Sequence, residues 1–202
     1  MDKFVEDEWQ PPRINPRAME PHHEEVSSME QSSGRGAQVG ILMGSQSDWA
    51  KMEKAAEALK QFEVPCEMLV LSAHRLPDRV AEYARQAEAR GLQILIAGAC
   101  MANHLAGALA ANCTLPVIGV PLSGSALNGV DALYATVQMP KGVPVATVAI
   151  DGAANAAYLA VEILVLQDEP LRARLKAHRQ AERAKLEAAL VEQTPQVQEV
   201  AR

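Results

Sequence analysis

The chain has 202 residues, 49% of them hydrophobic but only 3% aromatic, and a formal net charge of −6. That length suits one domain with a substantial core, and the small aliphatic side chains suit closely packed layers of parallel sheet and helix. Negative charge without a long basic run argues against a nucleic-acid surface, and three cysteines without CxxC spacing argue against a disulfide framework or a cysteine zinc site. The N-terminus is charged and shows no apolar stretch of the secretory kind. The uncharged run from Ile94 to Ala111 is broken by Gly98, Asn103, His104 and Gly107. It therefore reads as strand, loop and helix, not as a membrane span. The expectation is a cytoplasmic protein that binds neither nucleic acid nor membrane.

Residues 1–37 mix prolines, acidic residues and serines with no sustained apolar period, and read as a disordered or loosely draped arm. His22-His23 within it reads as a solvated pair rather than a metal site. Val39 to Met43 is the first strand expectation, followed by the loop Gly44-Ser45-Gln46-Ser47-Asp48. Met52, Ala55, Ala56 and Leu59 then share one face of a helix, with Ser47 or Asp48 as its cap. Met68 to Leu71 reads as a buried strand. Ser72-Ala73-His74-Arg75 follows it, and Pro77 opens a helix with Val80, Tyr83, Ala84 and Ala87 on one face.

Leu92 to Ala97 predicts a third strand, Gly98 to His104 its loop, and a short helix runs to about Asn112. Pro116 to Val120 and Val143 to Ile150 predict the fourth and fifth strands, and Asn155 caps a helix through Leu166. Strand and helix alternating at this spacing predict a parallel sheet in a domain over residues 38–168. Residues 169–202 read as an exposed amphipathic helix with apolar points at Leu171, Leu175, Leu186 and Leu190, fraying after Gln193. From Leu92 to Val130 there is no Asp, Glu, Lys or Arg, a pattern that predicts coverage by other subunits.

Chemistry collects where strands hand over to helices. In open α/β sheets ligands bind at that carboxyl edge. A histidine there can move protons near neutral pH, and an arginine can hold a phosphate or carboxylate through two parallel hydrogen bonds. The hydroxyls of the Ser45–Asp48 and Ser72–Arg75 loops, free helix-start N–H groups and Arg75 would together hold an anion. Asp48 suits sugar hydroxyls, since a carboxylate repels phosphate. On position alone, a turn histidine, a surface arginine and a capping aspartate fit the same residues. Neither a GxGxxG nor a GxxxxGK[ST] pattern is present.

Gly40 to Trp49 (GILMGSQSDW), Ser72 to Arg75 (SAHR), Pro116 to Pro121 (PVIGVP), Val137 to Pro140 (VQMP) and Gly142 to Ile150 (GVPVATVAI) together resemble the bacterial PurE family. The resemblance runs in continuous order from about Val39 to Leu166. It implies a flavodoxin-like three-layer α/β/α sandwich with a central parallel sheet, assembled as a homo-octamer. It also implies 5-(carboxyamino)imidazole ribonucleotide mutase activity in purine biosynthesis, with no cofactor and no metal. By that resemblance His74 is the general acid/base. Ser45, Ser47, Asp48, Ser72, Ala73 and Arg75 bind substrate, and Gly98, Ala99, Cys100, Ala102, His104 and Leu105 hold the imidazole and its carboxylate. The implied pathway partner is the ATP-dependent carboxyaminoimidazole ribonucleotide synthase.

Many relatives have Gly-Ala-Gly-Gly-Ala-Ala-His-Leu-Pro-Gly where this chain has Gly98-Ala99-Cys100-Met101-Ala102-Asn103-His104-Leu105-Ala106-Gly107. Two lost glycines reduce freedom for φ > 0. The retained His104-Leu105 and Gly107 predict that the loop keeps its path. Rival readings are a carboxylase that takes CO2 directly, a branch in which lysine tends to replace Arg75, and a non-catalytic nucleotide-binding module.

Overall fold

A computed structural model describes residues 36–192. Apart from Gly36 and Ala37, the expected arm lies outside the described residues, as do His22-His23 and the fraying after Gln193. Five strands form one all-parallel sheet in the order β2-β1-β3-β4-β5: β1 Val39–Met43, β2 Cys66–Val70, β3 Ile94–Cys100, β4 Val117–Leu122 and β5 Ala146–Thr147. The helices are α1 Trp49–Gln61, α2 Pro77–Ala87, α3 Leu105–Ala110, α4 Val130–Val137, α5 Ala153–Leu164 and α6 Glu169–Glu192. This order is that of a flavodoxin-like sheet.

The period-two alternation of strands sorts the core into two faces. Val39, Ile41 and Met43 of β1 pack with Met52, Leu59 and Phe62 around α1 and with the alanine-rich face of α5. Leu42 points the other way, into a cluster with Val80, Tyr83 and Ala84 of α2 and Leu105 and Leu109 of α3. Gly40 leaves the space that Tyr83 fills, since a Cβ there would lie 2.3 Å from its hydroxyl. That hydroxyl donates to Glu67 Oε1 at 2.6 Å, and Arg90 both pairs with Glu67 and lies over the ring. Burial and the Glu67 carboxylate push the Tyr83 pKa up, so the phenol stays a donor and ties α2 to β2.

The α2 face of Val80, Tyr83, Ala84 and Ala87 is buried as the spacing predicts, and β1 has its expected bounds. Other expectations are corrected. The strand around Met68 is not buried: β2 is a sheet edge, its residues are half-exposed and Val70 is exposed. Gly98 and Ala99 belong to β3 with Cys100, not to the loop after it. The stretch from Val143 to Ile150 pairs only at Ala146–Thr147. Asn155 lies inside α5, whose cap position is Gly152. Asp48 stands at the cap position of α1 without a side-chain capping bond, and Ser45 caps the short 3-10 turn before it.

Among the described residues no helix is long and apolar enough to cross a membrane. The run from Ile94 to Ala111 is instead β3, its loop and α3. The first turns of α6 pack on their own core through Leu171 and Leu175, while Leu186 and Leu190 are exposed.

Candidate active site

β1 lies between β2 and β3, so the loops leaving β1, β2 and β3 meet at one carboxyl edge around the point where strand order reverses. There they enclose a cleft of about 300 Å³ lined by residues of all three. Its floor is small and apolar, from Ala73, Ala99, Ala102 and Leu105, and its polar groups are Ser45, Asp48, Ser72, His74 and Arg75.

Each polar group is aimed by a local contact. The Ser45 hydroxyl accepts from the Ser47 amide and from the Ser47 hydroxyl at 3.0 Å, leaving its own proton free to donate. Arg75 donates through Nε to Ser72 Oγ at 3.3 Å and through Nη2 to the Gly44 carbonyl at 3.1 Å. It thereby joins the loops after β1 and β2. Its remaining N–H groups have no carboxylate partner among the described residues and suit an anion. Asp48 is buried and its pKa is raised by that burial, while the Lys51 ammonium and a backbone bond from Ser45 oppose the rise.

The two histidines form a pair. His74 Nε2 lies 2.6 Å from His104 Nδ1, with ring planes crossing at 65°. At that distance one nitrogen carries the hydrogen and the other accepts it. A proton taken or given at His74 therefore has a second imidazole to stabilise it. His74 lies in the turn between β2 and α2 and His104 at the cap position of α3, so both rings stand at the carboxyl edge of the sheet beside the cleft.

Of the residues expected at the site, Ser45, Asp48, Ser72, Ala73, His74, Arg75, Ala99, Cys100, Ala102 and Leu105 line the cleft. His104 reaches it through His74. Ser47 and Gly98 do not line it and act from behind. Ser47 orients Ser45, and the Gly98 carbonyl accepts the Gly44 amide at 3.1 Å. Gly98 also lets α1 approach, because a Cβ there would lie 2.2 Å from Met52 Sδ.

Two lining residues were not singled out among the expected site residues. Gly44 is one, and its lack of a side chain keeps space open beside Ala99 and Asp48. Met101 is the other: it is exposed at the cleft mouth with φ +54°. Met101 lies within the Gly98–Leu105 loop that the resemblance places at the imidazole and its carboxylate.

The chain matches the family described as AIR carboxylase over residues 38–185. It is 56% identical over 142 residues to the N5-carboxyaminoimidazole ribonucleotide mutase of Pyrococcus abyssi, covering 70% of this chain and 82% of that protein. It is 50% identical over 153 residues to the protein of the same name from Escherichia coli, covering 75% and 90%. A crystal structure of Treponema denticola PurE superposes with a TM-score of 0.71 at 29% identity, covering 78% of this chain and 98% of that one. With a match that spans the whole sheet and every loop of the cleft, the chain belongs to the AIR carboxylase family, the PurE family of its relatives.

Proposed function

We infer that the protein is a mutase of purine biosynthesis that acts on a small ribonucleotide. It moves a carboxyl group from the exocyclic nitrogen of 5-carboxyaminoimidazole ribonucleotide to ring carbon C4. Support comes from relatives of that name at 50–56% identity and from a cleft that pairs an anion-binding arginine with a histidine pair. The observation that carries the reading is the convergence of His74, Arg75, Ser45 and Asp48 on one small-walled cleft.

The chemistry follows from the groups. An N-carboxylate loses CO2 once its nitrogen takes a proton, and His74 is placed to give it. The electron-rich C4 then attacks the retained CO2, forming the new carbon–carbon bond. C4 now bears a proton that must leave for the ring to regain aromaticity, and the neutral His74 accepts it. One imidazole gives the first proton and removes the second, so its charge is restored at each turnover. Arg75, with Ser45 and Ser72, holds the phosphate, and Asp48 accepts from the ribose hydroxyls. Ala99, Ala102 and Leu105 wall the space in which CO2 must stay close to C4 and away from bulk water.

Three further features extend this reading. The protomer assembles into a homo-octamer. Support is the charge-free stretch from Leu92 to Val130 and the exposed apolar residues Val130, Tyr134 and Val137 of α4, with Leu127 in the turn before it. A sedimentation run showing a monomer at micromolar concentration rules out the octamer. The substrate is supplied by an ATP-dependent carboxyaminoimidazole ribonucleotide synthase, and the setting is cytoplasmic.

The test is a conversion assay with no ATP and no metal, on wild type and His74→Asn. One arm receives the N-carboxylated ribonucleotide, the other aminoimidazole ribonucleotide with modest bicarbonate. Rapid C4-carboxylated product from the first arm alone is expected, with a loss of roughly 10²- to 10⁴-fold in the variant. Efficient product from the second arm replaces the mutase with the direct carboxylase. An active His74→Asn variant removes His74 as the proton carrier.

A further inference from the structure

The loop that brings His104 to His74 is held in an unfavourable conformation. Met101 has φ +54°, a region that non-glycine residues rarely adopt. Two successive tight bonds follow, from the Asn103 amide to the Met101 carbonyl at 3.1 Å and from the His104 amide to the Ala102 carbonyl at 2.8 Å. Backbone of this kind persists only where the surroundings hold it.

What holds it is a polar side chain inside an apolar core. Asn103 is 1% exposed, and its Nδ2 donates to the Val120 carbonyl of β4 at 3.3 Å and to Thr136 Oγ1 of α4 at 2.9 Å. Thr136, equally buried, in turn donates to the Ala132 carbonyl at 2.6 Å, so its oxygen can only accept from Asn103. The amide cannot be turned round, because the Val120 carbonyl has no hydrogen to offer. Asn103 Oδ1 is consequently buried without a partner among the described residues. Room for Thr136 comes from Gly119, where a Cβ would lie 2.3 Å from its methyl group. An apolar pair at these two positions would fill the core without an orphaned acceptor, whose burial is unfavourable.

We propose that Asn103 and Thr136 form a buried tether whose role is positioning: it pins the Met101–His104 loop to β4 and α4 and so aims His104 at His74. The pull is transmitted over one peptide bond, from Asn103 to its neighbour His104. The kinetic arm of the test rests on the mutase reading of the cleft, and the spectroscopic arm does not.

Four variants of the full chain test it: Asn103→Ala, Thr136→Val, Thr136→Ser and the double variant Asn103→Ala/Thr136→Val. The expected result is a kcat for Asn103→Ala lowered on the order of 10- to 100-fold with KM within about twofold, the pattern of a misplaced reacting group. Thr136→Val is slower than wild type and Thr136→Ser, which keeps the hydroxyl, recovers the rate. The double variant is no slower than Asn103→Ala, because the two residues act as one unit.

Imidazole ¹⁵N spectra of the ligand-free protein report the ring-to-ring hydrogen bond independently of turnover. That signature is expected to be lost in Asn103→Ala and kept in Thr136→Ser. If Asn103→Ala does not fold, the Thr136→Val and Thr136→Ser pair decides alone. Wild-type kcat and unchanged imidazole spectra in Asn103→Ala overturn the tether, as does a Thr136→Ser variant as slow as Thr136→Val. A wild-type protein that does not turn over, yet loses the imidazole signature in Asn103→Ala, keeps the tether and removes the mutase reading.

Discussion

Two clusters at the same edge of the sheet are built from nearly the same parts. In one, Lys51 donates to the Ser123 carbonyl at 2.7 Å and to its hydroxyl at 2.5 Å, and pairs with Asp151 at 3.1 Å. Asp151 in turn accepts from the Ser123 amide at 2.9 Å and from its hydroxyl. In the other, Arg75 rests on Ser72 and on a backbone carbonyl, and no carboxylate faces it among the described residues. The first cluster neutralises itself. Its cation, hydroxyl and carboxylate fasten α1 to the loops after β4 and β5. The second holds a cation by neutral acceptors only and so keeps its charge for a ligand. The difference between fastening and binding here is whether the protein supplies the anion.

Removing the open cation separates the two most sharply. Arg75→Met forfeits charge-assisted hydrogen bonds of about 1.5–3 kcal/mol, a rise of roughly 10- to 100-fold in KM for the ribonucleotide. Its melting temperature should change little, since the side chain is exposed. A KM unchanged in steady-state assays would erase the contrast.

Asp151→Asn attacks the closed cluster and should do the reverse, leaving KM near wild type while stability falls by about 0.5–1 kcal/mol, the range for a partly exposed pair. Burial alone would raise this carboxyl, but the Ser123 hydroxyl and amide and the Lys51 ammonium outweigh it and hold the pKa below its ordinary value. A lowered folded-state pKa gives stability that is present above the unfolded value of 3.8 and lost as pH falls through the folded one. The variant's deficit should therefore be full at neutral pH and close in urea titrations below that value.

Asp48→Asn gives the smallest effect and the opposite sign. Burial raises the Asp48 pKa, so the folded state favours the proton and stability declines as pH rises through the raised value. The neutral side chain should raise Tm at pH 7 slightly, while KM rises. A lower Tm would assign Asp48 to fastening after all.

Much of this was legible in the chain because burial repeats. β1 and the apolar face of α2 follow from local period alone, and so does the alternation that makes the sheet parallel. β2 was not legible as an edge, since an apolar run looks alike at the centre and the margin of a sheet. α4 escaped because the side chains it exposes, Val130, Tyr134 and Val137, are themselves apolar, so no polar face marks it. Val143 to Ile150 has strand composition, yet the register of β4 offers it partners at only two residues. At the site, residue types and their loops could be read. The Asn103–Thr136 bond could not, because it joins positions 33 apart that meet only after β4 and α4 have packed.

Among the described residues, all lining of the cleft falls between Gly44 and Leu105, whereas β4, β5, α4, α5 and α6 contribute none of it. A comprehensive substitution map of the protein should accordingly divide in two along the sequence. Changes at cleft positions in the earlier portion would silence turnover in protein that still accumulates normally. Harmful changes in the later portion would mostly thin out the folded population, with each surviving molecule working at full rate. The loop-holding Asn103 and Thr136 would straddle that divide, Thr136 standing as an activity position inside the abundance half.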